Sequence, residues 1–406
     1  MKKIYSIILI FFSLSARGDY WTQKADFGGV ERFHAVGFSI GNKGYIGTGS
    51  NGQIMSYNDF WEYDPSNNSW IQKANFGGSS RYGAAGFAIG SKGYICTGYS
   101  DVAGFSPDFW EYDPLANAWA QKANFGGVVR EYGVGFSIGS KGYIGIGSVG
   151  ACFQDFWEYD PILNAWSQKM NFGGSPRHLA AGFSDGIKGY LGTGQVAYPY
   201  GTVDLWEWNP LTNTWTQKAD FVGAARQEAC AFWISPFGYI GLGTTQIGSG
   251  TVSDFWKYDI VNNSWSQVAS FGGGPRECAV AFSIGNKGYV GTGWINDTVS
   301  TRKKDFWEYT PDSTTAIEEI TNNNFQFTIS PNPAKEFTVC SLQFAVSKKI
   351  NLSVTDITGR KYISKQLETV NSKLQTKIDI RNFPNGIYFV TVDDEKLKTI
   401  KKFIKN

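Results

Sequence analysis

The side chains best suited to chemistry in this 406-residue sequence follow six regularly spaced arginines. The one or two residues after each arginine differ from copy to copy and include aromatic rings, carboxyl groups and both histidines of the chain. Aromatic stacking combined with charge-assisted hydrogen bonds is typical of sites for a sugar or a peptide. The candidate ligand-binding residues are therefore Phe33, His34, Tyr82, Glu131, Tyr132, His178, Gln227, Glu228 and Glu277.

The repeated arginines themselves are expected to serve the fold rather than a ligand. Identical placement in every copy favours hydrogen bonds to loop carbonyls or to a neighbouring carboxylate. The same reasoning applies to an aspartate before an aromatic pair, for which turn and strand-end hydrogen bonding is favoured over a ring of calcium ligands. The arginines are Arg32, Arg81, Arg130, Arg177, Arg226 and Arg276, and the aspartates are Asp59, Asp108, Asp155, Asp204, Asp254 and Asp305.

The composition excludes several other kinds of chemistry. The chain has only two histidines, and its five cysteines lack C-x-x-C spacing, so neither a zinc signature nor a disulfide-rich scaffold is indicated. Most of the cysteines are expected to be buried small hydrophobic residues. With 37 basic and 35 acidic residues the formal charge is +2, which is not the basic footprint of a nucleic-acid-binding protein. We therefore expect no metal, no cofactor and no nucleic-acid partner.

Four sequence markers recur together and divide the chain into six copies. Each copy carries the arginine, a K-G-Y-I-G-T-G block or its relatives, a D-F-W-E-Y block and a closing tryptophan. The closing tryptophans, Trp21, Trp70, Trp119, Trp166, Trp215 and Trp265, are separated by 49, 49, 47, 49 and 50 residues. The second copy shows four short β-like runs between turns, at residues 84–89, 93–98, 109–113 and 119–123. This pattern predicts an all-β chain with a six-bladed β-propeller over residues 19–312, in which the first strands, rich in Ala and Gly, lie innermost.

The strand count predicts how the ring closes. The chain opens with a fourth-strand segment at residues 21–25 that has no first three strands before it. The sixth copy ends with a third strand at residues 306–309 and has no fourth. We expect the two segments to pair, because this completes the last blade and removes an exposed sheet edge.

Over residues 19–312 the repeats resemble those of kelch-repeat proteins, which have the arginine, the Y-x-G-x-G strand, the W-E-Y-D-P segment and the closing tryptophan in this order. One difference is that Gly-Thr-Gly at residues 47–49 stands where the family has two adjacent glycines. The resemblance implies a galactose oxidase-like propeller of kelch type. Galactose oxidase uses copper with histidine and tyrosine ligands. Here His34 and His178 fall in the first and fourth blades, across the ring, where they cannot readily ligate one ion.

The N-terminus has the pattern of a secretory signal peptide over residues 1–18. Lys2 and Lys3 precede an apolar stretch at residues 4–12 that is too short to span a bilayer, and small residues follow it. No other apolar run in the sequence is long enough to span a membrane. We therefore expect an exported mature chain without a transmembrane segment.

The C-terminus differs from the repeats. A polar linker is expected at residues 313–324, and residues 325–406 alternate short β runs with turns, which predicts a small β-sandwich. The segments S-P-N-P, D-I-T-G-R, G-I-Y-F-V and K-F-I-K resemble the C-terminal (Por) sorting domain of the type IX secretion system. The resemblance implies the type IX machinery as a partner, and the secreted fraction or outer-membrane surface of a Gram-negative, Bacteroidetes-type bacterium as location. The alternative is an accessory β-sandwich such as a carbohydrate-binding module.

Variation among the copies predicts which face binds a ligand. The loops between second and third strands diverge at residues 50–58, 99–107, 148–154, 195–203, 244–253 and 294–304, whereas the turns on the opposite face are nearly uniform. Divergent loops on a rigid scaffold usually carry recognition.

We therefore expect an exported or cell-surface recognition module that binds a glycan or a protein on this face, rather than an enzyme. Two alternatives remain open. One is a carbohydrate-active enzyme of the sialic acid mutarotase type, in which Glu131, Glu228 or Glu277 would act with an arginine. The other is a structural envelope adhesin.

Overall fold

The structure is a computed structural model of the chain, and it describes residues 18–52, 56–197, 200–245, 250–295, 300–312, 326–330, 334–343, 349–356, 360–368, 373–393 and 398–405. Every regular element in these ranges is a β-strand, which confirms the all-β prediction. Accordingly, the described part of the chain contains no helix long and apolar enough to cross a membrane. Residues 1–17 of the predicted signal peptide and the whole predicted linker, 313–324, lie outside the described residues.

The chain divides into two compact units, one within residues 1–316 and the other within residues 317–406. The first unit contains six four-stranded antiparallel sheets, and their first strands surround a central channel, as in a β-propeller. From the innermost strand outward the blades are Val36–Ile40, Lys43–Gly47, Phe60–Asp64 and Ser69–Gln72 (blade 1); Ala85–Ile89, Lys92–Cys96, Phe109–Asp113 and Ala118–Lys122 (blade 2); Val134–Ile138, Lys141–Gly145, Phe156–Asp160 and Ala165–Lys169 (blade 3); Ala181–Ser184, Gly189–Gly192, Leu205–Asn209 and Thr214–Gln217 (blade 4); Cys230–Ile234, Phe237–Gly241, Phe255–Asp259 and Ser264–Val268 (blade 5); and Val280–Ile284, Lys287–Gly291, Phe306–Thr310 and Tyr20–Lys24 (blade 6).

The predicted strands of blade 2 are confirmed to within one or two residues at their ends. The largest difference is at the second strand, which ends at Cys96 rather than at residue 98. Thr97 and Gly98 have φ angles of 63° and 96°, so they leave the β region and turn the chain toward the next loop. The boundary is therefore set by backbone conformation and not by the hydrophobic pattern.

Packing between neighbouring blades explains the sequence of the first and third strands. A Cβ on Gly37 of blade 1 would lie only 2.0 Å from Cγ1 of Val280 in blade 6, so the inner strand needs a small residue there. On the third strand, Phe60 packs edge-on against Tyr112 of blade 2, and Tyr63 packs edge-on against Phe306 of blade 6, each with ring centroids 4.8 Å apart. Phe60 and Tyr63 therefore contact opposite neighbouring blades, and both faces of the strand are covered.

The N-terminal segment closes the ring. Tyr20–Lys24 pairs antiparallel with Phe306–Thr310 as the outer strand of blade 6, which confirms the predicted closure. Trp21 Nε1 donates a 3.0 Å hydrogen bond to the carbonyl of Ala269 in blade 5. The indole also packs edge-on against Phe271, with centroids 4.9 Å apart.

Asp19 forms a further contact that is not among the predictions from the repeat pattern. In blade 3, Asn164 Oδ1 accepts hydrogen bonds from the Ala123 amide of blade 2 (3.0 Å) and from the Tyr159 hydroxyl (2.9 Å). In blade 6, Asp19 Oδ2 takes this place and accepts from the Ala269 amide (2.6 Å) and the Tyr309 hydroxyl (2.9 Å). The two residues before Trp21 therefore repeat the role of the N-x-W segment in the other copies.

The second unit is built of two sheets around one core. Its strands are ordered Gln326–Ser330, Phe337–Gln343 and Lys373–Asp379 in one sheet, and Lys361–Glu368, Lys349–Asp356, Gly386–Asp393 and Lys398–Lys405 in the other. Ile378 of the first sheet is buried in the same cluster as Val354 and Val390 of the second. The arrangement agrees with the predicted small β-sandwich.

Candidate functional site

Each repeated arginine is buried and ties together the second and third strands of its blade. In blade 3, Arg130 Nη1 and Nη2 donate to Asp155 at 2.6 and 2.7 Å, and Nη1 also donates to the Ile146 carbonyl at 2.8 Å. The guanidinium lies 4.9 Å from the ring centroid of Phe125. The same bidentate pairs form in the other blades, as Arg32–Asp59, Arg81–Asp108, Arg177–Asp204, Arg226–Asp254 and Arg276–Asp305.

Arg130 favours the charged form of its partner Asp155. Burial by itself would raise the pKa of Asp155, but the hydrogen bonds and charge of Arg130 outweigh burial and leave the pKa below its usual value. Trp157 Nε1 donates a further hydrogen bond to the same carboxylate, at 2.7 Å. The pKa is lowered for the same reasons in Asp108, Asp204, Asp254 and Asp305. The carboxylate oxygens therefore already accept hydrogen bonds from arginine and tryptophan. A ring of calcium ligands would instead need these oxygens to bind the ion.

The residues two positions after the arginines form a closed ring around the channel, and we call them the ring positions. They are His34, Gly83, Tyr132, Leu179, Glu228 and Cys278. All six have φ between 50° and 63°, a left-handed conformation that is uncommon outside glycine. Each backbone N–H donates to the carbonyl of the ring position in the preceding blade, at 2.8–3.3 Å, and the sixth bond returns to the first blade. This circle of hydrogen bonds offsets the backbone strain and fixes where the side chains start.

The ring positions line a cavity of about 130 Å³ at one end of the channel, together with the alanine or glycine that follows each of them. Three of the nine predicted site residues are among them: His34, Tyr132 and Glu228. The rings of His34 and Tyr132 meet across blade 2, with centroids 4.6 Å apart. Gly83 leaves room for this contact, because a Cβ there would lie 2.9 Å from the Tyr132 ring.

The other six predicted residues directly follow the arginines, and we call them the rim positions. They are Phe33, Tyr82, Glu131, His178, Gln227 and Glu277. None of them lines the 130 Å³ cavity. Each instead forms an antiparallel bridge with the first residue of the variable loop in its own blade, as in Glu131 with Ser148. The mouth of the channel therefore has two layers, a ring inside and a rim that holds the variable loops.

Within the described residues, the variable loop of four blades begins as a two-stranded ribbon rather than as irregular loop. The ribbons are Tyr99–Ser100 with Gly104–Phe105, Ser148–Val149 with Ala151–Cys152, Gln195–Ala197 with Tyr200–Gly201, and Trp294–Ile295 with Thr301–Arg302. Ribbons of this kind give the divergent segments a defined geometry.

Aromatic rings concentrate on one side of the rim. Phe33 stacks on Trp294, with centroids 5.5 Å apart and an angle of 27° between the rings. Arg302 lies over the same indole at 5.6 Å. In blade 2, Tyr82 packs against Tyr99 at 5.6 Å. All these side chains are half-buried, so each still exposes part of its surface.

Three buried polar atoms in this region have no hydrogen-bond partner in the described structure: Glu131 Oε2, Gln227 Oε1 and Arg302 Nε. An unpaired buried polar atom costs roughly 1–3 kcal/mol, so such atoms mark places where an external group could bind. Burial raises the pKa of Glu131 to about 7, in spite of a hydrogen bond from Tyr132. Near neutral pH this carboxyl group can therefore donate as well as accept.

A continuous chain of polar side chains crosses blades 5, 6 and 1. Its members are Glu277, Glu228, Cys278 and His34. Burial, and then the charge and hydrogen bond of Glu228, raise the pKa of Glu277 well above its usual value. Burial likewise raises the pKa of the Cys278 thiol. The thiol lies 3.1 Å from Glu228 Oε2 and 3.3 Å from His34 Nε2. Burial lowers the pKa of His34, against the opposing charge of Glu228.

The second histidine belongs to a different contact. His178 Nδ1 lies 3.1 Å from the Sγ atom of Cys152, on the ribbon of the neighbouring blade. The two histidines therefore meet two different cysteines rather than each other. Cys96, Cys230 and Cys278 are buried, as the sequence predicted for most cysteines, whereas Cys152 is half-buried.

Comparison with known proteins identifies the C-terminal unit. Residues 328–406 match the family model of the Secretion system C-terminal sorting domain. This match indicates export by type IX secretion, which is typical of Bacteroidetes, to the cell surface or the extracellular space. It also implies interaction with the type IX secretion machinery.

The propeller is similar to a solved structure described as "Structure of YjhT", with a TM-score of 0.60 and 16% sequence identity. The similarity covers 71% of this chain and 97% of that chain. At this level of identity it shows the propeller fold alone. No curated protein matches the chain.

Several residues that lie beside the predicted ones were not among the candidates from sequence. Cys278 occupies a ring position, but it was expected only to be a buried hydrophobic residue. Trp294 and Arg302 were included only as part of a variable loop. The available signal was the offset from the arginine: Cys278 follows Arg276 by the same two positions that separate His34 from Arg32.

Proposed function

We propose that this protein is an exported kelch-type propeller that binds a glycan at the rim of its variable-loop face. The observation that carries the proposal is the combination, on that face, of stacked aromatic rings with the unpaired polar atoms of Glu131, Gln227 and Arg302. The repeated arginines, in this proposal, serve the fold.

Aromatic rings suit a sugar because one face of a pyranose carries C–H groups that pack on a ring. The Phe33–Trp294 stack and the Tyr82–Tyr99 pair offer such surfaces on blades 6, 1 and 2. Blades 4 and 5 contribute His178 and Gln227 at the equivalent positions. The rim is therefore aromatic on blades 6, 1 and 2 and more polar on blades 4 and 5. A ligand with one apolar face and one polar edge matches this distribution.

The unpaired atoms suit sugar hydroxyl groups for a second reason. Glu131 Oε2 and Gln227 Oε1 are acceptors, and Arg302 Nε is a donor. A hydroxyl group both donates and accepts, so one class of ligand can satisfy all three atoms. Filling them would also recover the free energy lost by burying them unpaired.

The mutarotase-type alternative has less support, since it needs a carboxyl group beside a cation with donors to spare. Arg130 uses Nη1 and Nη2 on Asp155 and Nε on the Val128 carbonyl. Nη1 and Nη2 of the other repeated arginines are bound to aspartate in the same way, and the one Nε among them without a partner in the described residues, that of Arg276, is fully buried. Glu131 would therefore need a different cation, and a proton-exchange assay on sialic acid anomers tests for that activity.

The proposal is tested by probing a glycan array with the labelled full chain and then titrating the best-bound glycan by calorimetry. Tyr82→Ala and Glu131→Ala should each weaken binding about 10-fold, from the loss of one aromatic contact or one hydrogen-bonding carboxyl group. Leu115→Ala is the matched control, because Leu115 is 95% exposed in a uniform turn of the opposite face. The control should bind like the parent chain.

Two results would overturn the proposal. One is an array without any bound glycan while affinity capture recovers a protein partner, which would favour the adhesin alternative. The other is binding that Leu115→Ala weakens and the two rim variants leave unchanged. Thermal unfolding of each variant ensures that the comparison is made between folded proteins.

A further inference from the structure

Three ring positions from three blades bring a set of metal-binding atoms together. His34 of blade 1, Glu228 of blade 5 and Cys278 of blade 6 each offer one ligand atom, and these atoms all lie within 4.8 Å of one another. Cys278 Sγ is 3.3 Å from His34 Nε2 and 3.1 Å from Glu228 Oε2. We propose that this cluster binds one zinc ion per chain.

The spacing of the ligand atoms fits a tetrahedral ion. Zinc bonds of about 2.1 Å to nitrogen or oxygen and about 2.3 Å to sulfur place the ligand atoms roughly 3.3–3.6 Å apart. Both observed separations involve the sulfur and, at 3.1 and 3.3 Å, are a few tenths of an ångström below the upper value. The His34 and Glu228 ligand atoms lie within 4.8 Å of each other, so binding the ion requires these two side chains to adjust around the sulfur.

The ligand types select zinc over the common alkaline-earth cations. Imidazole, thiolate and carboxylate are the groups that bind Zn²⁺, whereas Mg²⁺ and Ca²⁺ prefer oxygen atoms alone. Three protein ligands leave one tetrahedral position open. The cavity of about 130 Å³ that the same three residues line gives that position room for water or for a ligand oxygen.

The ring of backbone hydrogen bonds holds the three ligands in register. They occupy consecutive ring positions, since the Cys278 amide donates to the Glu228 carbonyl at 3.2 Å and the His34 amide donates to the Cys278 carbonyl at 3.3 Å. The other three ring positions hold glycine, tyrosine and leucine, which do not provide a strong zinc ligand. The three candidate zinc ligands therefore lie together in one half of the ring.

This inference differs from the sequence expectation of no metal and does not rest on the proposed glycan binding. That expectation rested on the small number of histidines, the spacing of the cysteines and the separation of His34 from His178 around the ring. The structure instead pairs His34 with a thiol and a carboxylate that lie 244 and 194 residues away in the chain.

The test is a calorimetric titration of the chelator-treated, reduced full chain with zinc chloride. We expect one ion per chain, and Cys278→Ser and His34→Asn should each weaken binding about 100-fold or more, because each removes a direct ligand. Cobalt(II) gives a readout without any substitution, since a thiolate-to-metal absorption band should appear in the parent chain. This band should be absent from Cys278→Ser.

His178→Asn is the matched control. His178 also lies 3.1 Å from a cysteine sulfur, but it is not part of a three-ligand cluster in the described structure. Zinc binding should therefore survive this substitution. The inference is wrong if the parent chain binds no stoichiometric zinc, if both ligand variants bind as tightly as the parent, or if cobalt binds without the thiolate band. Zinc titration and the glycan array have separate readouts, so failure of one proposal is distinguishable from failure of the other.

Discussion

Replacing Trp21 by alanine tests whether the N-terminal strand holds the propeller closed. The indole packs against Phe255, Phe271 and Tyr309, with centroid distances of 5.1, 4.9 and 5.0 Å, and donates a hydrogen bond to Ala269. The substitution removes all four contacts from the strand that joins the two ends of the ring. We expect blade 6 to lose stability first.

The size of the effect follows from the packing. Removing a tryptophan from a core costs about 3–5 kcal/mol, and Trp21 belongs at the lower end because its side chain is only partly buried. A propeller of roughly 290 residues has an unfolding entropy near 0.6 kcal/mol/K, so a loss of about 3 kcal/mol lowers Tm by about 5 °C.

Trp166→Ala is the matched control, since Trp166 has the same place in blade 3. Its indole contacts Phe109 and Phe125 at 5.0 and 5.1 Å and donates to the Ala123 carbonyl at 3.1 Å. The two variants should lose similar amounts of Tm. Amide hydrogen exchange should distinguish them, with faster exchange in Phe306–Thr310 for Trp21→Ala and in Phe156–Asp160 for Trp166→Ala.

Closure by this strand is refuted if Trp21→Ala unfolds at the parent Tm and leaves the exchange of blade 6 unchanged, while Trp166→Ala shows the expected loss. It is also refuted if Trp21→Ala accelerates exchange equally in all six blades. In that case the strand would have no special relation to blade 6.

Two further predictions concern buried charge. Asp108→Asn leaves the fully buried Arg81 without its counter-ion and should cost about 3–5 kcal/mol in urea unfolding. Asp113→Asn, which breaks a half-exposed pair with Lys92, should cost much less than Asp108→Asn, and equal losses would contradict the structural role of the arginines. Because the pKa of Glu131 is raised to about 7, its carboxyl group contributes stability that is fully present below the unfolded-state pKa and is lost as pH rises through 7. After allowance for solvent screening, the free energy of unfolding of the parent chain should fall by about 1–2 kcal/mol between about pH 4.5 and pH 7 because of Glu131, and Glu131→Gln should remove this fall. A Tm-against-pH curve that the substitution leaves unchanged would contradict this assignment.

Much of the fold could be predicted because the same short sequence blocks form the same strands and contacts in every copy. The D-F-W-E-Y block alone indicates a strand with two covered faces, and its six repetitions give the number of blades. The missing fourth strand of the last copy and the extra one at the N-terminus then indicate the closure. Asp19 could have been found in the same way, since it stands two residues before Trp21 just as Asn68 stands two residues before Trp70.

The candidate site was only partly predictable. The offset from each arginine identified nine variable residues, but it did not separate the rim positions from the ring positions. That separation depends on backbone conformation: the ring positions adopt positive φ and bond to one another across blades. A neighbouring carboxylate was expected for the arginines, but the specific pairing of Arg130 with Asp155 emerged only in the folded blade, although both residues recur in every copy.

Short-range patterns of aromatic, small and turn-forming residues specify the six blades, their closure and the C-terminal sorting domain, so these features are readable in the amino-acid order. The choice of side chains that meet at the channel is instead a property of the folded ring. His34 and Cys278 are 244 residues apart, and they come into contact only because the sixth blade closes onto the first. Contacts between blades depend on the curvature of the whole ring, which no single repeat encodes.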